Sequence, residues 1–381
     1  MINFFFFVYP PGFILDGKFL KNHHLSWFLR TYIGRKNHWS KKMTQQELVP
    51  LILKLCQLNA TSGQEKASVD FLESVLKQSG WRTERQPVGP EKGRDNLWAF
   101  ASDTDPEVLF TTHLDTVPDF IPPKLSEDGK ALIGRGVCDA KGIAACMIVA
   151  ADHLKKQKVP VGLLFVVGEE TDSAGAKAAA KFGVKVKYVV NGEPTQLKLV
   201  RAMKGIVIFE LKAKGVAAHS AYPDAGHSAI HQLLKDLNSL VCFDWPSDKD
   251  LGRTMCNIGV MHGGKAHNVL ADEAMAVGNI RTTVKAEKIQ ELIRANINPK
   301  TALNILSSSD PQHLKVVNGF ETDVVAFGSD VPYLRAIGEP LLLGPGCILD
   351  AHTIHEQIKI ADLEKAVELY VKLGKDLTCK Q

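Results

Sequence analysis

In this 381-residue chain, histidines and carboxylates recur just after short apolar runs. Val108-Leu109-Phe110-Thr111-Thr112 is followed by His113-Leu114-Asp115. Gly134-Arg135-Gly136-Val137-Cys138-Asp139 leads into a helical stretch. The run 161–167 ends in Gly168-Glu169-Glu170, and Tyr188-Val189-Val190 ends in Asn191-Gly192-Glu193-Pro194. Leu341-Leu342-Leu343 leads through Gly344-Pro345-Gly346 to Ala351-His352. Singly, each has an ordinary explanation: a surface loop pair, a solvated acidic turn, a helix N-cap at Asp139, a turn residue before a proline. Together they do not. Ligand sites of open α/β sheets lie beyond the carboxyl ends of the strands. These side chains would therefore share one crest, where crowded carboxylates need a cation to offset their repulsion.

Mixed histidine and carboxylate donors suit zinc or a similar divalent ion, whereas all-oxygen sets suit magnesium or calcium. Five ligands exceed what one catalytic zinc takes and suit two ions bridged by a carboxylate. Paired ions about 3.5–4 Å apart serve hydrolysis by acidifying a shared water and polarising the substrate oxygen. One carboxylate must stay off the ions as a proton shuttle. Adjacent loop glutamates can point apart, so Glu169-Glu170 can supply one base and one ligand.

The elements that must position these groups are legible from periodicity. Leu48, Leu51, Ile52, Leu55 and Cys56 form a helical stripe after Met43. From there to about Leu199, strand and helix alternate, with 161–167 bounded by Pro160 and Gly168 as a buried parallel strand. Such alternation predicts a doubly covered α/β sheet. Near Lys204-Gly205 the pattern becomes strand 206–213, helix 229–240, strands 254–260 and 274–281, and helix 286–295. This is the start of a ferredoxin-like α+β unit, to which 303–306 could add a last strand. A strand at 341–343 and a final helix at 360–377 return to the α/β style. The expected organisation is a catalytic domain split into 43–203 and 310–381, with a smaller domain at 204–309 inserted.

Composition narrows the function classes. Apolar residues are 45% and charged residues 23%, a globular balance. No apolar run approaches the roughly 20 residues that cross a bilayer. The net charge of +4 is uneven: residues 1–43 carry seven Lys/Arg against one Asp and 11 of the 28 aromatics, which leaves the body slightly acidic. Nucleic-acid binding, which needs a concentrated basic surface, is not expected. Residues 1–42 read as a disordered extension or a start-site artefact, with Met43 as the start. A membrane anchor there is disfavoured because the apolar residues form no single helical face. Seven scattered cysteines without a C-x-x-C fit a reducing compartment, so a cytoplasmic location is the expectation.

From Met43 onward the chain resembles the di-zinc amidohydrolases, the family of acetylornithine deacetylase, succinyl-diaminopimelate desuccinylase, aminoacylase and glutamate carboxypeptidase. The resemblance rests on motifs in family order: Thr112-His113-Leu114-Asp115-Thr116-Val117-Pro118, Gly134 through Gly142, Gly168-Glu169-Glu170, Gly192-Glu193-Pro194, and Gly344 through His352. It implies a mixed sheet flanked by helices plus an inserted lid or dimerisation domain, and two divalent ions, zinc first and cobalt as the alternative. By this resemblance His113 and Glu193 would hold one ion, Glu170 and His352 the other, and Asp139 would bridge. Glu169 would be the general base, and Asp115 would hydrogen-bond the His113 ring nitrogen facing away from the metal. His219, in Gly215-Val216-Ala217-Ala218-His219-Ser220, would stabilise the oxyanion, often in the partner's site of a homodimer. Asn268, Arg281 and Gly328 would contact substrate, although Asn279-Ile280-Arg281 stands where the family has Asp-Ile-Arg. The stretch from Arg281 to Asn318 is short for the family, so the last lid strand is expected to be trimmed.

Within the family, Gly192-Glu193-Pro194-Thr195 and Leu199 through Gly205 are closest to acetylornithine deacetylase-like members. The expected substrate is therefore an N-acylated amino acid, N-acetylornithine first, cleaved to ornithine and acetate in amino-acid (arginine) biosynthesis. A desuccinylase and a dipeptidase or carboxypeptidase on the same scaffold are the nearest alternatives. A non-catalytic binding homologue is disfavoured because all five ligand positions and the base are present. A Rossmann dehydrogenase is excluded, since no G-x-G-x-x-G is followed by an acidic residue at the right distance.

Overall fold

The computed structural model describes residues 45–91, 93–101 and 105–379; the expected 1–42 extension lies outside them. The first α-helix, Leu48–Gln57, buries Leu48, Leu51, Ile52, Leu55 and Cys56, because positions three and four apart share a helix face. The central sheet has six strands in the order Arg82–Pro87, Asp95–Phe100, Val161–Val166, Val108–His113, Tyr188–Asn191 and Glu339–Leu342. The last four run parallel to one another, and the first two are antiparallel. Val108–His113 and Val161–Val166 are buried along their whole length, which is why they read as unbroken apolar runs.

Helix Lys141–Lys156 packs closely because Gly142, Ala144, Ala145, Ala150 and Ala151 carry little bulk. It lies against the last helix, Ile360–Thr378, whose buried Tyr370 hydroxyl donates to the Leu343 carbonyl at 2.7 Å. The mixed α/β class expected from the sequence is present. Periodicity did not announce the edge strand Arg82–Pro87, whose sequence Arg-Thr-Glu-Arg-Gln-Pro buries only Gln86.

A second sheet is antiparallel, in the order Met255–Gly263, Glu273–Thr282, Gly205–Lys214 and Ala302–Ser309. Val207, Phe209, Leu211, Ala274, Ala276 and Ile280 turn inward beneath helices Ala229–Val241 and Ala286–Asn296. The trimmed last strand does not hold: Ala302–Ser309 is eight residues long and pairs from Ala302↔Lys212 to Ser309↔Ile206. The sequence marks only its first half, 303–306, because Ser307, Ser308 and Ser309 carry no apolar signal.

A small sheet pairs Gln357–Lys359 with Ala131–Ile133 and so brings the 134–139 loop beside the 352–356 segment. Among the described residues no helix is long and apolar enough to cross a membrane.

Candidate metal centre and active site

His113 ends its strand level with Val166, and Thr111 is level with Asn191. The loops that follow carry Glu169, Glu170 and Glu193 to the same edge. Nε2 of His113 lies 3.0 Å from Asp139 Oδ1 and 4.0 Å from Glu193 Oε2. Nε2 of His352 lies 2.9 Å from Glu170 Oε2 and 3.4 Å from Asp139 Oδ2. Asp139 therefore turns one oxygen to each histidine. His113, Asp139 and Glu193 offer donor atoms within 4.8 Å of one another, and so do Asp139, Glu170 and His352.

Local sequence explains this placement. Ala140 occupies the N-cap position of helix Lys141–Lys156, and Asp139 makes no cap bond; its carboxylate is committed to the histidines instead. A Cβ on Gly142 would lie 2.0 Å from the Val137 carbonyl oxygen, so only glycine lets the helix start this soon after Asp139. His352 holds a left-handed φ of 62°, which costs a non-glycine residue roughly 1–3 kcal/mol and persists only where its surroundings impose it.

The charge distribution fits a pair of divalent cations. Burial would raise the pKa of Asp139, but hydrogen bonds from His113 and His352 hold it below the ordinary value. Burial would lower that of His113, but Asp115 and Asp139 raise it well above the usual range. Hydrogen bonds to Asp139 and Glu170 push His352 up to about 10. Burial, followed by the negative charge of Glu169, pushes Glu193 well up. In the chain alone, protons stand where cations would.

A ligating imidazole must be neutral. With its pKa near 10, His352 is protonated at pH 7.5 and must lose that proton when metal binds. Metal affinity is therefore expected to rise with pH up to about that value. Titration calorimetry in buffers of different ionisation enthalpy should count at least one proton released at pH 7.5; a count near zero would contradict the arrangement.

Asp115 is placed differently from expectation. The Nδ1–H of His113 donates to the main-chain carbonyl of Asp115 at 2.9 Å, while the carboxylate stands 3.6 Å off. That carboxylate is occupied elsewhere: it accepts the N–H groups of Glu169 and Glu170, each at 3.1 Å, and the Ser62 hydroxyl at 2.7 Å. Asp115 thus ties the strand carrying His113 to the loop carrying both glutamates.

Two buried residues went unrecognised in the sequence. Glu356 Oε1 accepts the main-chain N–H groups of Gly136, Cys138 and Asp139 at 2.8, 3.1 and 3.1 Å. Its Oε2 pairs with Arg135 at 2.7 Å, and Arg135 also donates to the Thr353 and Asp119 carbonyls. The pair clamps the Asp139 loop to the His352 segment. Arg135 offered half a signal, since a cation between two glycines that becomes buried needs an anion; its partner lies 221 residues away with no local mark. Glu356→Ala should lower stability by about 3–5 kcal/mol by stranding the Arg135 charge. Glu356→Gln should keep the fold but weaken metal binding about 10–100-fold. Denaturant melts and metal titrations measure the two effects; unchanged affinity in Glu356→Gln would contradict the clamp.

The other predicted residues fall into two places. Arg281 is near the cluster: burial lowers its pKa while the charge of Glu169 opposes the shift, and a Cβ on Gly328 would lie 3.3 Å from its Nη1. His219 and Asn268 lie together instead, the Ser220 N–H donating to the Asn268 carbonyl at 3.0 Å. Among the described residues no hydrogen bond or ion pair joins His219 or Asn268 to the metal cluster of the same chain.

Comparison with known proteins identifies the family. The family model for peptidase family M20/M25/M40 matches residues 109–376. A "Peptidase M20 domain-containing protein" of Schizosaccharomyces pombe is 34% identical over 365 residues, covering 92% of this chain and 91% of that protein. A "Probable carboxypeptidase" of Aspergillus terreus is 36% identical over 362 residues, covering 84% of each. Among solved structures, a tripeptidase from Staphylococcus aureus superposes with a TM-score of 0.76 at 21% identity, over 89% of this chain and 100% of its own. An M20 family metallo-carboxypeptidase from Sulfolobus solfataricus gives 0.70 at 17% identity, over 88% and 100%; these two likenesses concern the fold. The chain belongs to the M20/M25/M40 peptidase family and is a metal-dependent hydrolase of amide bonds.

Proposed function

We propose that this chain is a di-zinc peptidase that releases the C-terminal residue of a short peptide or of an N-acyl derivative. The observation that carries this reading is Arg281: half-buried beside Glu169, its side chain makes no ion pair or hydrogen bond among the described residues. A guanidinium in that state suits a substrate carboxylate, which it can grip with two parallel hydrogen bonds. The "Probable carboxypeptidase" relative supports the same choice. N-acetylornithine rests on the 192–205 motifs alone and ranks second.

When bound, two divalent cations acidify a water and polarise the scissile carbonyl. His113 and Glu193 would hold one, Glu170 and His352 the other, with Asp139 between them. Glu169 takes the proton of the attacking water and returns it to the leaving nitrogen. Burial first, then Asp330, Glu170 and Asp139, raise its pKa well above the carboxylate range against the pull of His113, which favours its holding that proton. Asp115 fixes its main chain.

His219 would donate to the oxyanion. Its Nδ1 accepts the Ala221 N–H at 3.1 Å, so Nε2 carries the hydrogen. We place it in the site of a partner subunit. The outer strand Met255–Gly263 is paired on one side only and exposes Val260 and Met261, a surface suited to a second copy. Mixing Glu169→Gln chains with His219→Ala chains should then restore part of the lost activity; a mixture as inactive as its components would place His219 elsewhere.

The substrate reading is tested with N-blocked dipeptides bearing free or amidated C-termini, alongside N-acetylornithine and succinyl-diaminopimelate, with and without chelator. Chelator-sensitive cleavage confined to free carboxylates is expected. Amidated peptides cleaved equally well would remove Arg281 from its role.

A further inference from the structure

Next to the metal cluster lies a cavity of about 470 Å³, bordered by Pro194 and Thr195, which follow Glu193, and by Cys347, Ile348 and Leu349, which precede His352. That volume falls in the range of small-molecule sites. Met255 and Arg281 enter it together because they are direct partners on neighbouring strands. Val325 and Phe327 also line it. Two charged residues reach the cavity, and their states differ. The Asp323 carboxylate is paired with Lys198 at 2.9 Å, whereas Arg281 has no ion-pair partner among the described residues. The apolar lining is unusually uncovered: Leu349 is 83% exposed and Met255 49%. Large apolar side chains left open to water around one free cation favour a ligand that is apolar and anionic at once.

We propose that this cavity selects substrates whose C-terminal residue has a large apolar side chain. The inference rests on the C-terminal-residue reading above and deepens it. Arg281 takes the α-carboxylate, and the aliphatic or aromatic side chain lies against Met255, Val325, Phe327 and Leu349. A lysine or ornithine at the same position would bring an ammonium group towards the Arg281 guanidinium, while the carboxylate in the cavity wall, Asp323, is already paired with Lys198. Glycine would leave the apolar wall wet.

The test uses the metal-loaded full chain and N-blocked dipeptides alike except in the last residue: Leu, Phe, Gly or Lys. kcat/KM for Leu and Phe is expected to exceed that for Gly and Lys by about tenfold or more, the usual yield of an apolar pocket. The products leucine and lysine should inhibit in the same order. Leu349→Glu, an exposed loop substitution whose folding a thermal melt can verify, should raise cleavage of the Lys peptide and lower that of the Leu peptide. Wild-type cleavage of all four at similar rates, or an unchanged Leu-to-Lys ratio in Leu349→Glu, would overturn the pocket assignment while leaving the hydrolase intact. No cleavage of any free-carboxylate peptide would instead overturn the C-terminal reading, and the pocket with it.

Discussion

Asp139→Ala is expected to lose both metal equivalents and to lower turnover by ~10⁴-fold or more, the scale seen when one member of a cooperating set is removed. Asp139 presents Oδ1 to His113 at 3.0 Å and Oδ2 to His352 at 3.4 Å, so its removal takes a donor from both groups at once. The loop itself should stay in place, because Glu356 holds it through main-chain N–H groups that the substitution leaves intact. Asp139→Asn separates donor loss from loop damage: an amide keeps the shape but offers one ligating oxygen, so one equivalent should remain. Metal analysis after gel filtration reads both variants. Two equivalents retained in Asp139→Ala would reject the bridge.

Glu169→Gln should behave in the opposite way, keeping both metals while kcat falls about 10²–10⁴-fold, the contribution typical of a positioned general base. The structure separates the neighbouring glutamates: Glu170 lies 2.9 Å from His352, whereas Glu169 makes no ion pair with either histidine among the described residues. Asp115 holds the main chain of both at 3.1 Å, so the substitution should not disturb the loop. Steady-state kinetics with parallel metal analysis decides. A variant that loses one equivalent would show the two roles to be exchanged.

How much of this was legible in the sequence follows from the range of each interaction. Buried parallel strands write unbroken apolar runs, so Val161–Val166 and the residues just beyond it could be placed, and with them the sheet edge that carries His113, Glu170 and Glu193. The stripe of Leu48–Gln57 and the start of Lys141–Lys156 were visible for equally local reasons. What stayed hidden depends on distant partners or on half-exposed surfaces. The Arg135–Glu356 clamp joins segments more than two hundred residues apart. The choice of the Asp115 main-chain carbonyl over its carboxylate as partner of His113 is decided by what else competes for that carboxylate, chiefly Ser62 and the two glutamate N–H groups. Ala302–Ser309 was legible only over its first half, because Ser307, Ser308 and Ser309 carry no apolar signal. The cavity beside Arg281 has walls from five separate segments, that of Arg281 included, and no single stretch of chain announces it.

The most direct test is anomalous diffraction at the zinc edge from crystals of the zinc-loaded chain. Two peaks about 3.5–4 Å apart are predicted, one against His113 and Glu193 and the other against Glu170 and His352, with Asp139 between them. A single peak, or density away from these five side chains, would contradict the account.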